Sequence, residues 1–338
     1  MSAQAPDVYF DERYGSVVAG TEGGRWHLIS LDEGRWQIPL VVRDLASGRR
    51  DAISPYGYAG AFWQPTGSNA TADELWSETR LLLDHLGIVS MFLRISPLVP
   101  QAAAPPDAVP IVSDHWTYLV PSNDVDQAWA KMDGRARTAI RKARKLGFTS
   151  ELRSANADDL VPSSPFRELY SKTMQKVEAN SYYFFEDDYF DGLGTSLGGD
   201  LLLGVVRDAD GAPHAAALFM SGRHYLHYHL SGSSQEGARA GASNLLIWDA
   251  LQETSRRSLS GLHLGGGLVN GDGLDRFKKS FGGEALSYNA YGVIVNNEAY
   301  TDEVAMQAQR LGTTSNSLLT PGFFPSYRRA GAPHDRAE

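Results

Sequence analysis

LLLGVVRDADGAPHAAALFMSGRHYLHYHLS, residues 201–231, is the stretch that decides the fold. It breaks into three largely apolar runs, at 201–207, 212–221 and 223–231, joined by Asp210-Gly211 and Ser221-Gly222. Both dipeptides suit tight hairpins, so the runs read as an antiparallel meander. Upstream of it the pattern predicts a strand near 148–153, a helix over 165–179 and a shorter helix over 187–193. Downstream it predicts a helix over 243–257, a short strand at 261–264, a helix over 273–280, a long strand near 285–296 and a helix over 298–310. The first half carries strands near 25–30, 35–45 and 50–54, a helix over 72–86, and strands near 88–95 and 115–120. A helix, or a pair broken at Gly134, then covers 124–146. Thr71 with Glu74 forms a capping-box pattern, and Leu75, Leu82 and Leu86 supply the apolar stripe of the helix that follows. Residues 101–110, QAAAPPDAVP, lack any period and read as a surface excursion inside the first domain.

At 338 residues the chain is long enough for about two domains. The element order divides it into 1–122 and 123–338, the second half having the more complete set. Hydrophobic residues make up 42% and charged residues 21%, as in ordinary globular proteins. The absence of cysteine excludes disulfides, thiolate nucleophiles, iron–sulfur clusters and thiolate zinc sites. No basic start followed by an apolar run marks a signal peptide, and no apolar run approaches the ~20 residues of a membrane span. The expected location is therefore cytoplasmic, with no membrane partner. A net charge of −9 argues against a protein that coats nucleic acid non-specifically. One island breaks the acidic pattern: between Lys131 and Arg153 stand eight basic residues against two acidic ones. Read as a helix, it sets Ala136, Ile140, Ala143 and Leu146 on one side and Arg137, Arg141, Arg144 and Lys145 on another. That face is either solvated or a local phosphate site for a nucleotide, CoA or a tRNA end. No internal repeat or sustained heptad pattern occurs.

Five words of sequence go further than the element order. SPYGYAG (54–60), RTAIRKA (137–143), LYSKTMQKVEANSYYF (169–184), LHLGGG (262–267) and LDRFKKSFGG (274–283) follow one another in this order. Together they resemble the FemAB/FemX-like branch of the GNAT acyltransferase superfamily, over roughly residues 25–296. The resemblance implies an α/β (α+β) fold of two GNAT-like domains, the first degenerate. Each domain would be a mixed, mostly antiparallel sheet flanked by helices, and the two would share a cleft. It also implies an aminoacyl-tRNA-dependent aminoacyltransferase that forms an amide on an amine acceptor, either a cell-wall precursor or a small amine, with no tightly bound cofactor. The alternatives are an acyl-CoA-dependent N-acyltransferase and a GNAT-shaped binding protein without catalysis.

The same resemblance assigns residues. A Phe-Lys pair that steadies charge near the transferred ester falls on Phe277 and Lys278. The other reading of this segment is a short amphipathic helix with Leu274, Phe277 and Phe281 in the core and Lys278 and Lys279 in water. Gly265, Gly266 and Gly267 follow a predicted strand and form either a substrate-facing loop or a structural turn. Tyr56, Gly57 and Tyr58 fall near the acceptor pocket, and Tyr182 and Tyr183 are implied as substrate-binding. Lys176 stands where the family commonly carries an arginine that contacts acceptor phosphate. Lysine keeps the charge but loses the bidentate fork. Arg137, Arg141 and Lys145 are the candidate contacts for donor phosphate.

His227 and His229, two apart on a predicted strand beside Tyr225, face one side. They form either a proton-handling site or a packed strand face. No third ligand is visible nearby, so no metal is expected. Finally, SQEGARAGASNLLIW (234–248) sits where CoA-dependent GNAT enzymes carry a pyrophosphate loop. Gln235, Ala238 and Ala240 only imitate its spacing, which favours a donor other than CoA.

Overall fold

The computed structural model describes residues 5–105, 107–267 and 270–329; Pro106, inside the proline-rich stretch, lies outside them. The chain divides into two compact units, one made of Met1–Asp114 with Tyr288–Glu338 and the other of His115–Ser287.

In the first unit α1 (Glu12–Thr21) precedes β1 (Gly24–Leu31), β2 (Trp36–Asp44), β3 (Arg50–Ile53), the two-residue β4 (Phe62–Trp63), α2 (Ala72–His85) and β5 (Ile88–Arg94). The capping box forms as expected: Thr71 Oγ1 accepts from Glu74 N–H, and the Glu74 carboxylate accepts from Thr71 N–H. The buried stripe of α2 is Leu75, Trp76, Thr79 and Leu83, so the expected stripe is corrected at Leu82, which is 40% exposed. Trp36 sets this rotation, because its indole N–H donates to Thr79 Oγ1 at 3.0 Å and its ring meets Trp76 edge-on. The stretch 101–110 is tied in more firmly than an excursion: Ala102 is buried, and Ala103 O accepts from the Trp76 indole.

The second unit is built from β6 (Val109–Pro121, of which 115–121 belong here), α3 (Val125–Lys131), α4 (Gly134–Lys145), β7 (Thr149–Ser154), α5 (Pro165–Lys176) and α6 (Asp187–Leu197). The meander β8 (Leu201–Arg207), β9 (Pro213–Ser221) and β10 (Tyr225–Ser233) follows, then α7 (Gln235–Ala240), α8 (Ala242–Arg256), β11 (Gly261–Gly265) and α9 (Gly273–Lys279). Its strands are ordered β6-β11-β10-β9-β8-β7, and every neighbouring pair is antiparallel except β10 with β11. Helix α8 buries Leu245, Leu246, Ile247 and Trp248 with Leu202, Phe219, Leu226 and Leu262 of the sheet and Ile140 of α4.

The last strand and long helix, β12 (Glu284–Ile294) and α10 (Asn297–Leu311), return the chain to the first unit. Residues Ala290–Ile294 pair antiparallel with β5, and Ala299, Tyr300 and Val304 bury against Val89. The first unit's strand order is thus β1-β2-β3-β5-β12, again with a single parallel pair, β3 with β5. Each unit is a mixed, mostly antiparallel sheet flanked by helices. The division differs from the expected 1–122 and 123–338 because β12 closes the first sheet rather than extending the second half.

Candidate active site

The site in the second unit begins where two parallel strands part. Tyr225, Leu226 and His227 of β10 pair with Gly261, Leu262 and His263 of β11, and the ladder ends there. Beyond that point β10 stays with β9 as far as Ser233, while β11 stays with β6 as far as Gly265. A bulge between Tyr228 and Leu230 makes His229 an extra residue on β10. The gap between the strands therefore has His227 and His263 at its foot, Tyr228 and His229 on one wall, and Gly265–Gly267 on the other.

Helix α9 closes this gap from the β11 side. Lys278 is only 8% exposed, and its Nζ donates to Gly266 O at 2.6 Å. The Nζ lies 5.9 Å from the Tyr228 ring centroid, a loose cation–π contact. Burial pulls the ammonium down to about 8, against the opposing pull of Asp272 and Asp275. The amphipathic alternative is thereby reversed at two positions: Lys278 is inside, and Leu274 is 43% exposed. Phe277 and Phe281 pack edge-to-face at 5.2 Å on the α8 core as that alternative expected, and Lys279 is exposed.

The glycine run is what lets α9 come so near. Gly265 holds φ +67. A Cβ on Gly266 would stand 2.4 Å from Trp116 O, and one on Gly267 would stand 2.8 Å from Asp272 Oδ1. Steric need thus accounts for all three glycines as a turn, while the Gly266 carbonyl anchors the lysine. Asp275, which stands close by on α9, is itself fixed. Its Oδ1 accepts from the Tyr118 hydroxyl at 2.8 Å and its Oδ2 from Gly271 N–H at 2.9 Å. Burial and this carboxylate push Tyr118 up to about 12, so it remains a donor.

The histidines lie deeper than the sequence suggested. His227 and His263 are fully buried, with their Nδ1 atoms 3.2 Å apart. Burial first, then the neighbouring His227 and the Lys278 cation, hold His263 well below the usual imidazole range. His229 meets the Tyr189 hydroxyl through Nε2 at 2.7 Å, and burial with His227 pulls it down to about 3. Aromatic rings extend from there: Tyr189 stacks on Phe185 at 4.2 Å, and Phe185 meets Tyr182 at 5.9 Å. Tyr183 sits beside Tyr182, and its carbonyl accepts from the Tyr170 hydroxyl. His263, Asp275 and Tyr118 were not singled out from the sequence, although His263 stands inside LHLGGG.

The remaining expected residues fall elsewhere. Lys176 ends α5 on the surface. In the basic island Ala136, Ile140 and Ala143 are buried as expected, but Leu146 caps α4 and is 51% exposed, so it is removed from the apolar side. Arg137 donates to the carbonyls of Trp129 and Ala130, Arg141 lies over the Trp129 ring, and Arg144 pairs with Asp249 at 3.1 Å. Lys145 is exposed. Tyr56, Gly57 and Tyr58 belong to the first unit, where Tyr56 O accepts from the Tyr14 hydroxyl and Tyr58 meets the rings of Tyr9 and Tyr288. The segment expected to imitate a pyrophosphate loop is largely helical. Ser234 caps α7, Gly241 (φ +90) leaves no room for a Cβ against Ala139 O, and Lys142 Nζ donates to Arg239 O. Among the described residues no group of three or more acidic or histidine side chains could hold a metal ion, and no helix is long and apolar enough to cross a membrane.

This sheet order, with a buried cation where two of its strands part, is the frame for comparison with known proteins. Residues 130–279 match the family model described as an acetyltransferase (GNAT) domain, and that span contains the whole strand gap. Among solved structures, FemX superposes with a TM-score of 0.69 at 13% identity, covering 88% of this chain and 95% of that one. The C-terminal domain of a putative lysylphosphatidylglycerol synthetase from Agrobacterium fabrum gives 0.55 at 14% identity, covering 85% and 93%. L-PGS from Bacillus licheniformis gives 0.52 at 11%, covering 81% and 85%. The fold is thus FemX-like over nearly the whole chain. No curated protein matches the sequence.

Proposed function

We propose that the chain is an aminoacyl-tRNA-dependent aminoacyltransferase, joining an amino acid to an amine acceptor through an amide bond. The single observation that carries the reading is Lys278, a lysine drawn inside the protein and aimed at the gap between β10 and β11. Attack of an amine on an ester carbonyl builds negative charge on the carbonyl oxygen. An ammonium beside that oxygen, in a site closed to water, lowers the barrier far more than it aids ground-state binding. Burying an ammonium is costly, and this one has Asp272 and Asp275 near it to keep it charged around neutrality.

Two features favour a tRNA ester over acyl-CoA as the donor. The segment from Gln235 to Gly241 is a helix pressed against α4 rather than an open amide-lined loop, and α4 offers Arg141 and Lys145 on its outer side. Arg137 is the weaker phosphate candidate, since it is already engaged with α3 carbonyls. On this reading Tyr182, Tyr183 and His229 line the acyl side, and Lys176 serves the acceptor. The test is a donor screen. Purified protein is offered pooled ¹⁴C-aminoacyl-tRNA or ¹⁴C-acetyl-CoA with an amine mixture, each with and without ribonuclease. Transfer from the tRNA pool that ribonuclease abolishes supports the reading; transfer from acetyl-CoA alone overturns it.

A further inference from the structure

The histidine pair at the foot of the gap has a chemistry of its own. An Nδ1-to-Nδ1 hydrogen bond is possible only if one imidazole carries its proton on Nδ1 and the other presents a bare Nδ1. The donating imidazole is then left with a bare Nε2, the basic position of a neutral ring. Protonation at that Nε2 turns the shared contact into an imidazolium donating to a neutral imidazole, a charge-assisted and stronger bond. The pair is thus built to take up one proton and to resist a second. We propose that His227 and His263 form a proton-holding pair that accepts the proton lost by the attacking amine and returns it to the leaving oxygen. This rests on the aminoacyl-transfer reading above.

The atoms balance. The amine nitrogen forms the C–N bond, one N–H proton passes to the pair, the C–O bond to the ribose breaks, and the same proton goes to the released ribose oxygen. Timing follows from the charges around the pair. His229 and Tyr225 on β10, the Lys278 ammonium on α9, and the Asp272 and Asp275 carboxylates behind that ammonium all bear on it, with Tyr189 of α6 reaching it through His229. In the resting site burial, the neighbouring His227 and then the Lys278 cation disfavour a positive charge on His263. Once the oxyanion forms beside Lys278, the cation's share of that opposition is offset and the proton affinity of the pair rises. Full burial of both rings keeps the proton from escaping to water in the meantime.

The test has two arms that fail separately. In the first, ¹⁵N-histidine NMR follows the full-length protein from pH 9 to acid. The expected result is one Nδ1–H and one Nε2–H tautomer at neutral pH, with uptake of a single proton shared by the pair. In His263→Asn, which keeps a polar group at the Nδ1 position, the signal of the proton shared between the two Nδ1 atoms should be lost. Two rings that remain neutral until the protein unfolds overturn the proposal without reference to any substrate. The second arm measures single-turnover transfer from ¹⁴C-aminoacyl-tRNA to glycinamide. His263→Asn and His227→Asn should each lose on the order of a hundredfold or more in rate, with donor KM within about threefold and the acid limb of the pH profile displaced. Imidazole added to His263→Ala should restore part of the rate. Unchanged rates in folded variants, or a loss that imidazole does not relieve and that leaves the pH profile in place, reduce the pair to packing. If the wild-type protein transfers from neither donor, the donor assignment fails, and the NMR arm alone decides the pair.

Discussion

Replacing Lys278 by methionine, which keeps the length of the side chain without its charge, isolates the thermodynamic burden of the buried ammonium. In the unfolded chain the lysine holds its proton up to the ordinary 10.5, whereas in the fold burial brings it to about 8. Between those values the unfolded state binds a proton that the native state has released, so the lysine makes stability climb as pH rises through this window. At about 1.4 kcal/mol per pH unit the interval amounts to about 3 kcal/mol, fully felt at pH 7 and gone above pH 10.5. The lost hydrogen bond to Gly266 O is the same at every pH, and groups shared by the two proteins cancel in the difference. Urea unfolding of wild type and Lys278→Met at pH 7 and pH 10 should therefore show the wild type gaining about 2–3 kcal/mol relative to the variant on going to the higher pH. Parallel pH profiles for the two proteins would refute the argument, since they would mean that Lys278 keeps an ordinary affinity for its proton and is solvated.

Four further outcomes are expected. Lys278→Ala should lower kcat by about a hundredfold or more, with wild-type activity falling on an alkaline limb near pH 8, while exposed Lys279→Ala should leave both nearly unchanged. Charge reversal at Arg141 and Lys145 together should weaken donor binding and flatten its dependence on salt, measured by filter binding of aminoacyl-tRNA at several ionic strengths. Gly57→Ala should cost about 2–4 kcal/mol in chemical denaturation, because Gly57 holds φ +110 and a Cβ would stand 2.2 Å from the buried Tyr9 ring. Tyr118→Phe should slow transfer while sparing donor affinity, since Asp275 loses the hydroxyl that orients it beside Lys278; equal kcat in the two proteins would remove Tyr118 from the site's support.

Much of the sheet was legible because its signals are local. Alternation, Asp-Gly turns and the Thr71–Glu74 box each act within a few residues, and the second-half elements fall close to where the pattern puts them. The helices over Glu12–Thr21 and Gln235–Ala240 were missed for equally local reasons. Helix α1 carries Gly15 and Gly20, which lower helix propensity, yet Gly15 is needed where the Trp26 ring leaves no room for a Cβ. Helix α7 read as a loop because Gly237 stands inside it and Gly241 ends it; both are dictated by backbone contacts, to His214 O and Ala139 O.

The candidate site was legible only where a motif named it, because its chemistry depends on register between distant strands. The spacing of Leu274, Phe277 and Phe281 favours a helix that hides leucine and exposes lysine, and two of those three residues are indeed inside. What turns Lys278 inward is a carbonyl twelve residues upstream, reachable because Gly266 and Gly267 present no side chain to Trp116 and Asp272. The same holds for His263: within LHLGGG it alternates like any strand residue, and only its parallel pairing places it opposite His227. Glycine run, lysine and histidines are therefore one arrangement. The glycines admit α9, α9 delivers the cation, and the cation adds to burial and His227 in lowering the proton affinity of His263. A change at any one of these positions should be felt at the others, so double substitutions among Gly266, Lys278 and His263 should depart from additivity, whereas each paired with Lys279 should add.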